Sequence, residues 1–313
     1  MFAARFERFG PPGVLSVGDL PEPHAGPGQV RIRVHAAGVS PVDLAIRAGK
    51  SRSPIPLLHI PGVDAAGVVD EAEIDGVAIG DEVFGAVDLA RLGGATAEFA
   101  VLAFWAAKPP SMPWEQAGAA ASGIETATRA LDLLDVRPGS TLLIDGASGG
   151  VGSLAVGLAL ARGARVHGTA APGNQEFVAG LGATPVPYGP GLRERVPGPV
   201  DAALDVAGKG SLPELVALTG APSSVVTLAD FSGPEHGVRL SVGALGGEPD
   251  GRHGLAVAAR LFTEGSFRVP VQEVFEDAAA AHAAAEHGPR RGKLVVLSPG
   301  SGPRRTTPTT RSR

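Results

Sequence analysis

The 313-residue sequence contains no cysteine. Disulfide bonds, iron–sulfur clusters and zinc sites built on thiolates are therefore excluded. Because no thiolate is present to complete a metal site, His35 and His59 are interpreted as loop or core residues. We therefore expect a protein without a metal site.

Long hydrophobic runs are also missing, since no stretch of about 18 consecutive apolar residues occurs. The first ten residues, MFAARFERFG, carry charges where a signal peptide would carry an apolar core. The chain has 27 basic and 32 acidic residues without a large block of either sign, so no basic field indicates a nucleic acid. We expect a cytoplasmic protein with neither a membrane nor a nucleic-acid partner.

Tyrosine occurs only once, at position 188. The short-chain class of nucleotide-dependent oxidoreductases uses a Tyr-x-x-x-Lys pair, and Leu192 stands where the lysine would have to be. That class of enzyme is therefore excluded.

The residues that are present divide the chain into regions of different character. The first hundred residues are β-rich: over 29–40, Val30, Ile32 and Val34 alternate with polar residues, as in a half-buried strand. From about residue 113, strands alternate with helices of ten or so residues, which is typical of βαβ units and a parallel sheet. Further strands are predicted over 62–74, 80–87, 95–103, 140–146, 164–170, 200–208, 223–230 and 292–297, and helices over 113–134, 151–163, 174–183, 253–265 and 276–288.

These patterns predict an α/β protein of about two domains. A β-rich front half is followed by a doubly wound α/β region with a parallel sheet. A C-terminal strand, helix and strand then rejoin the front half. The last residues, 301–313, are rich in Pro, Ser, Thr and Arg and are predicted to form a disordered tail.

One glycine-rich stretch, DGASGGVG (145–152), fits two kinds of chemistry. Gly146 to Gly150 satisfy G-x-S-x-G, the nucleophile elbow of serine hydrolases, in which Ser148 would attack a substrate. The same residues fit a turn between a strand and a helix that holds the phosphates of a dinucleotide. A glycine-rich turn that binds nothing is the third interpretation.

Three features favour the phosphate-binding turn. The helix that follows begins with small residues, and Gly149, Gly150 and Gly152 let backbone N–H groups approach a pyrophosphate at its N-terminus. The preceding strand is the first of the α/β region and no HGGG-type loop comes before it, unlike in an α/β-hydrolase. The second strand, 164–170, ends about where a dinucleotide fold reads the ribose.

The end of that second strand bears on which nucleotide binds. It reads GTAA (168–171), without the Asp or Glu that holds the ribose 2′-hydroxyl of NAD. Because an acid would repel a 2′-phosphate, its absence favours NADP(H), although no Arg or Lys stands there to complete the site. Three side chains nearby can donate hydrogen bonds to the phosphate: Thr169, Asn174 and Tyr188.

Seven segments occur in the order of a known family: AAGVSPVDLAIRAG (36–49), IPGVDAAGVV (60–69), GDEVFG (80–85), AEFAV (97–101), GASGGVGSLAV (146–156), GARVHGTA (163–170) and RRGKLVVL (290–297). Over about residues 1–298 the sequence resembles the zinc-independent branch of the medium-chain dehydrogenase/reductases, the NADPH:quinone oxidoreductase or zeta-crystallin type.

The resemblance implies a GroES-like β-rich catalytic domain of residues 1–111 and 267–300, and a Rossmann NADP(H)-binding domain over 112–266. It implies a homodimer, with NADPH in the cleft between the domains delivering hydride to a small molecule, either a quinone or an α,β-unsaturated carbonyl. The implied contacts are Ser148, Gly149, Gly150 and Val151 for the pyrophosphate, Thr169, Asn174 and Tyr188 for the 2′-phosphate, Val206, Ala207, Leu228 and Ala229 for the nicotinamide side, and Lys293 for the cofactor.

Two departures from the family concern the substrate cleft. Ser40 stands where many members carry Asn, and Ala45 stands where they carry Tyr, so the cleft is expected to be more apolar. Ser40 is the first candidate catalytic residue, as a hydrogen-bond donor to a carbonyl. Asp43 is interpreted as the residue that ties the turn carrying Ser40.

Two further catalytic candidates each have a structural alternative. Arg47 is either a group of the cleft or half of a buried ion pair. Thr126 either faces the nicotinamide or packs its helix against the neighbouring elements.

The sequence favours an NADPH-dependent reductase of quinones or enones. The replacements at Ser40 and Ala45 leave a second function open, in which the same fold serves a specialised biosynthetic step such as a tailoring enoyl reduction or a non-redox cyclisation. A nucleotide-binding protein without catalysis is the third possibility.

Overall fold

The computed structural model describes residues 1–51, 54–88, 93–287 and 290–298. The tail that was predicted to be disordered, 301–313, lies outside the described residues, as does the last residue of the helix predicted over 276–288.

The strands, in chain order, are β1 (Phe2–Arg5), β2 (Ser16–Asp19), β3 (Val30–Val39), β4 (Asp64–Ala72), β5 (Glu82–Ala86), β6 (Phe99–Leu102), β7 (Phe104–Ala107), β8 (Thr141–Asp145), β9 (Arg165–Ala170), β10 (Thr184–Pro187), β11 (Ala202–Asp205), β12 (Val225–Thr227), β13 (Arg239–Leu240), β14 (Val271–Phe275) and β15 (Lys293–Leu297).

The α-helices alternate with the strands in the second half of the chain. None that the structure describes is long and apolar enough to cross a membrane. In chain order they are α1 (Pro41–Arg47), α2 (Trp114–Ala117), α3 (Ala121–Leu133), α4 (Gly150–Ala161), α5 (Gln175–Gly180), α6 (Leu192–Arg195), α7 (Leu212–Thr219), α8 (His253–Thr263) and α9 (Ala278–Glu286).

The parallel sheet has the strand order β10-β9-β8-β11-β12-β13, and every neighbouring pair in it is parallel. This is the doubly wound order of a Rossmann fold, in which the chain direction across the sheet reverses between β8 and β11. Leu142 and Ile144 of β8 and Leu154 of α4 are completely buried in its core. The crevice at the carboxyl ends of β8 and β11 is where such a sheet binds its ligand.

The other large sheet, called the first sheet because its strands β3 to β7 come first in the chain, has the order β14-β15-β3-β4-β5-β7, and β6 also pairs with β3. As predicted, Val30, Ile32 and Val34 of β3 are buried, because successive side chains of a strand point to opposite faces. β15 pairs antiparallel with β3 and parallel with β14, which confirms that the C-terminal segment rejoins the front of the chain.

The helix predicted over 113–134 is divided into α2 and α3. Between them Gly118 packs so closely on β3 that a Cβ atom there would lie 2.5 Å from the carbonyl oxygen of Ala36. On the strand, a Cβ on Gly38 would likewise lie 2.9 Å from the Cα of Ala119. The helix is therefore interrupted where the chain passes from one sheet to the other.

Candidate nucleotide-binding site

The glycine-rich turn joins β8 to α4 at the carboxyl edge of the parallel sheet. Its first residue, Gly146, has a φ of +94°, a conformation that glycine adopts at little cost. A Cβ atom on Gly152 would lie 2.2 Å from the carbonyl oxygen of Gly146, so α4 packs on the turn only with glycine there. The turn thus brings the N-terminus of a 12-residue helix to the crevice, where its first N–H groups have no partner within the helix.

Ser148 is held by its neighbours within this turn and is 9% exposed. Its hydroxyl accepts a hydrogen bond from Nδ2 of Asn174 at 3.3 Å, and its carbonyl accepts the N–H of Gly292 at 2.8 Å. In the described part of the chain the Ser148 hydroxyl has no histidine or carboxylate partner, so it lacks the general base that a nucleophilic serine needs. The other predicted pyrophosphate contacts are half-buried at the start of α4: Gly149, Gly150 and Val151.

Two of the residues expected at the 2′-phosphate differ sharply in exposure. Thr169 is 1% exposed, and its hydroxyl donates to Oδ1 of Asp145 and accepts the N–H of Gly146 at 3.0 Å. This hydroxyl supports the turn from behind, which corrects the expectation that it faces a phosphate. Tyr188 is 56% exposed, and its backbone N–H donates to the carbonyl of Ala170, which places it beside the end of β9.

An arginine from the far end of the chain lies at the loop that follows β9. Nε of Arg291 donates to Oδ1 of Asn174 at 2.8 Å, and Nη2 donates to the carbonyl of Gly173 at 2.7 Å. The buried Asn174 also donates to the carbonyl of Arg290. The sequence shows no cation near residues 168–174, and Arg291 could not be assigned to this loop because it is 117 positions from Asn174. The only signal was the paired arginines of RRGKLVVL.

Lys293 forms a buried ion pair with Asp64, with Nζ 3.4 Å from Oδ2. Asp64 also accepts the backbone N–H of Ser122 at 2.7 Å and its hydroxyl at 2.8 Å, at the start of α3. The Lys293 side chain passes the start of α4, since a Cβ on Gly150 would lie 3.0 Å from its Cδ. The cation therefore lies near the N-termini of two helices, where an anion is favoured. Sequence reasoning included Lys293 but missed Asp64 and Ser122.

The residues predicted for the nicotinamide side follow two neighbouring strands of the same edge. The loops after β11 and β12 touch each other, because a Cβ on Gly208 would lie 2.9 Å from the carbonyl oxygen of Ala229. The structure therefore brings these predicted residues together, one strand away from the glycine-rich turn, and all four are half-buried: Val206, Ala207, Leu228 and Ala229.

Ser40 is half-buried just before α1 and is tied to Asp43. The backbone N–H and the hydroxyl of Ser40 both donate to Oδ2 of Asp43 at 2.8 Å, and Oδ1 accepts the N–H of Gly62 at 3.0 Å. Burial raises the pKa of Asp43 to about 6, even though these hydrogen bonds act in the opposite direction. The interpretation of Asp43 as the residue that ties this turn is confirmed.

Arg47 does not take part in the crevice. It is 0% exposed, and its Nη2 pairs with Glu286 at the end of α9. Its Nε and Nη1 have no hydrogen-bond partner among the described residues. Of the two roles that the sequence left open, the structure supports the buried ion pair. The expected catalytic role of Arg47 is corrected, because a guanidinium enclosed between α1 and α9 is not available to a substrate.

Thr126 is half-buried on α3, and its hydroxyl donates to Oε2 of Glu125 at 3.1 Å. Glu125 is itself buried and accepts Nε of Arg129 and the N–H of Gly251, both at 3.0 Å. The Thr126 hydroxyl is thus joined to a network that holds the segment before α8 against α3. This contact favours the packing role over a role at the nicotinamide.

Comparison with known proteins agrees with this geometry. Residues 26–110 match the alcohol dehydrogenase GroES-like domain, and residues 181–296 match the zinc-binding dehydrogenase family. A quinone oxidoreductase from Sus scrofa is 39% identical over 178 residues, which are 54% of this chain and 53% of that protein. A 2-methylene-furan-3-one reductase from Solanum lycopersicum is 33% identical over 212 residues, which are 64% of this chain and 55% of that protein.

A solved structure extends the likeness to nearly the whole chain. The quinone oxidoreductase from Coxiella burnetii is 27% identical, with a TM-score of 0.82 over 95% of this chain and 99% of that one. The chain belongs to the medium-chain dehydrogenase/reductase family. This family consists of pyridine-nucleotide-dependent dehydrogenases, and its GroES-like and Rossmann parts correspond to the two sheets. The chain spans about half the length of the curated relatives it matches.

The donor groups of the crevice fit a dinucleotide. Among the described residues, a Cβ on Gly149 would meet only the carbonyl of Gly146, so the glycine turn leaves space at the start of α4, where the Lys293 side chain passes. Arg291 lies at the other end of the edge, past β9. One matched family is named for zinc binding, yet the described residues contain no group of three or more His, Cys, Asp or Glu side chains that could hold a metal ion.

Proposed function

We propose that this chain is an NADPH-dependent oxidoreductase that transfers hydride to a quinone or to the β-carbon of an α,β-unsaturated carbonyl compound. One observation carries the proposal: anion-binding groups stand at two separate points of one sheet edge, Lys293 with the start of α4 at one and Arg291 at the other. A phosphorylated dinucleotide needs such groups at its pyrophosphate and at its 2′-phosphate. Relatives named quinone oxidoreductase and 2-methylene-furan-3-one reductase support the substrate class.

In this proposal the pyrophosphate binds at the N-terminus of α4. Backbone N–H groups of Ser148, Gly150 and Val151 would donate to its oxygens, whereas the N–H of Gly149 already bonds to the carbonyl of Gly146 at 3.1 Å. The helix dipole favours the negative charge. The Lys293 side chain passes the start of the same helix, and Asp64 holds its ammonium in place. When it is bound, NADPH supplies the hydride.

Arg291 would give the preference for NADPH over NADH. Its guanidinium is fixed by Asn174 and by the carbonyl of Gly173, at the loop where this fold reads the ribose. A planar guanidinium can bind two phosphate oxygens at once. No carboxylate ends β9 to repel the phosphate, and the exposed Tyr188 adds a phenol on the same side.

We propose that the reaction proceeds without zinc. The chain has no cysteine, and a carbonyl acceptor can be polarised by fixed hydrogen-bond donors where charge develops on its oxygen. Ser40 is the candidate donor, and to act it must turn its hydroxyl from Asp43 to the substrate. The loops after β11 and β12 would orient the nicotinamide and exclude water.

The proposal divides the chain into a GroES-like catalytic domain of residues 1–111 and 267–300 and a Rossmann domain of residues 112–266. The pairing of β15 with β3 supports this division, because it returns the C-terminal segment to the first sheet. The homodimer would form at the β13 edge of the parallel sheet, where the order of the described strands ends.

The test is a turnover assay with the purified chain, 9,10-phenanthrenequinone or a simple enone, and either coenzyme. We expect oxidation of NADPH with a kcat/KM about tenfold or more above that of NADH, because one charged hydrogen bond to the 2′-phosphate contributes that much. Equal use of both coenzymes would contradict the role of Arg291.

The second candidate is an enzyme of the same fold that serves a specialised biosynthetic step. The residues of the substrate cleft favour this candidate. The hydroxyl of Ser40 is already bonded to Asp43, and Ala45 has no polar side chain that could bind a substrate carbonyl. Tight NADPH binding with no turnover across a broad panel of quinones and enones would support this candidate. If the chain binds neither NADPH nor NADH, both candidate functions are rejected.

A further inference from the structure

Two buried carboxylates end the neighbouring strands at the centre of the parallel sheet. Asp145 ends β8 and Asp205 ends β11, and the two residues are directly opposite in the register. Both are buried, and burial raises the pKa of Asp205. A buried carboxylate costs free energy unless its oxygens are occupied by donors. The donors that contact these two residues therefore indicate what each carboxylate organises.

Asp205 holds the loop that follows its own strand and also reaches the next strand. Its Oδ1 accepts the backbone N–H groups of Ala207 and Gly208, both at 2.9 Å. Its Oδ2 accepts the hydroxyl of Thr227 at 2.7 Å. Thr227 is the residue paired with Asp205 in the register between β11 and β12.

Thr227 repeats this arrangement for the loop after β12. Its hydroxyl oxygen accepts the backbone N–H groups of Ala229 at 3.2 Å and Asp230 at 2.9 Å. The side chains of Asp205 and Thr227 thus accept four backbone N–H groups from the two loops. These are the loops that touch at Gly208 and Ala229, and the proposed function places the nicotinamide against them.

Asp145 makes a related arrangement on the other side of the sheet centre, with two hydroxyls as its donors and one backbone N–H held through Thr169. The hydroxyl of Thr169, from the next strand outward, donates to Asp145 and accepts the N–H of Gly146 in the glycine-rich turn. Ser211, before α7, donates its hydroxyl to the other oxygen of Asp145 at 2.5 Å. Each half of the sheet therefore has one aspartate and one threonine behind the loops of its carboxyl edge.

We propose that Asp205 and Thr227 are positioning residues for the nicotinamide half of the cofactor, whereas Asp145 and Thr169 position the turn that holds the phosphates. This inference rests on the proposed function, because it assumes that a dinucleotide lies along this edge. Neither pair touches the cofactor in this arrangement. The first pair acts through the four backbone N–H groups that it holds, and the second acts through the N–H of Gly146.

The test compares Thr227→Val with Thr169→Val, two substitutions that replace a buried hydroxyl by a methyl group of similar size. The probes are NADPH and 2′,5′-ADP, which carries the phosphorylated adenosine half and lacks the nicotinamide. For Thr227→Val we expect kcat to fall about tenfold or more and NADPH to bind more weakly, while the Kd for 2′,5′-ADP is unchanged. For Thr169→Val we expect both ligands to bind more weakly.

Two further variants separate positioning from general damage. Thr227→Ser restores the hydroxyl and should restore kcat. Thr219→Val is the matched control, since among the described residues that hydroxyl bonds only to carbonyls at the end of α7, and the binding of both ligands and kcat should be unchanged. Should Thr227→Val fail to fold, Asp205→Asn serves in its place and is expected to give the same selective loss.

The outcomes distinguish this inference from the proposed function. If Thr227→Val weakens both ligands equally, or changes neither NADPH binding nor kcat, the positioning role is overturned while the proposed function stands. If the unmodified chain binds neither NADPH nor 2′,5′-ADP, the proposed function fails and the inference fails with it.

Discussion

Asp43 shows how one buried carboxylate organises the start of the cleft. Three donors from Ser40 and Gly62 converge on it, so it joins α1 to the segment before β4. Burial raises the pKa of Asp43 more than these hydrogen bonds lower it, because water that would otherwise solvate the charge is excluded. The protonation of this one residue therefore affects the stability of the folded chain.

We predict that Asp43→Asn removes a pH-dependent component of stability. The folded chain binds this proton more tightly than the unfolded chain does, since the pKa rises from 3.8 to about 6. The resulting stabilisation is complete below the unfolded value and is lost as the pH rises through about 6, an effect of about 3 kcal/mol. Urea unfolding of both proteins between about pH 4 and pH 7.5 measures the difference. If the free energies of unfolding of the two proteins change with pH in the same way, Asp43 does not contribute to the pH dependence of stability.

The sequence predicted the contact of Asp43 but left the role of Arg47 open between the cleft and a buried ion pair, for a physical reason. Asp43 is three positions from Ser40, so the contact follows from the local geometry of a helix start. Glu286, the partner of Arg47, is 239 positions away, so no local pattern could identify the ion pair. Thr126 is an intermediate case, because its contact with Glu125 is local but the network beyond Glu125 is not.

At the scale of elements, the strand–turn–helix unit of β8 and α4 depends on how closely the helix approaches the turn. Gly152 is the point of closest approach, whereas a Cβ on Gly149 would make only an ordinary contact at 3.4 Å. The glycines of this turn therefore differ in function. Gly152 allows the packing, Gly149 leaves space in front of the helix, and Gly150 makes room for the side chain of Lys293.

We predict that Gly152→Ala destabilises the chain by about 1–3 kcal/mol and weakens NADPH binding, because its Cβ would press on the carbonyl of Gly146. Thermal unfolding and fluorescence titration with NADPH measure the two effects. Gly180→Ala is the control, since a Cβ there meets no atom of the described residues within 4 Å and should not affect cofactor binding. A Gly152→Ala protein that behaves like the control would contradict this account of the turn.

At the scale of the whole molecule, the site is assembled from segments far apart in the chain. Arg291 and Lys293 come from the segment that rejoins the first sheet, yet they contact Asn174 and the start of α4 in the Rossmann part. Asp64 of the first sheet likewise contacts Ser122 at the start of α3. The crevice therefore depends on the two sheets meeting in this orientation.

We predict that Arg291→Ala lowers kcat/KM for NADPH about tenfold or more and leaves the value for NADH unchanged, because only NADPH carries the 2′-phosphate. Arg290→Ala is the matched control, since that side chain donates to the carbonyl of Ala285 and should have little effect on either coenzyme. Steady-state kinetics with both coenzymes provide the comparison. An equal loss for NADPH and NADH would show that Arg291 does not read the 2′-phosphate.

The sequence by itself determined the two-part fold, the return of the C-terminal strand, and the glycine-rich turn. The two-part fold and the turn follow from short-range patterns: alternation in strands, glycine at the end of a strand, and small residues at the start of a helix. The return of the C-terminal strand is implied by the resemblance to the family. Only the tertiary structure decided which distant groups complete the site. Arg291 lies 117 positions from Asn174, and Lys293 lies 229 positions from Asp64. The first pair forms because the two sheets meet, and the second forms because β15 and β4 join one sheet. No local pattern encodes either approach.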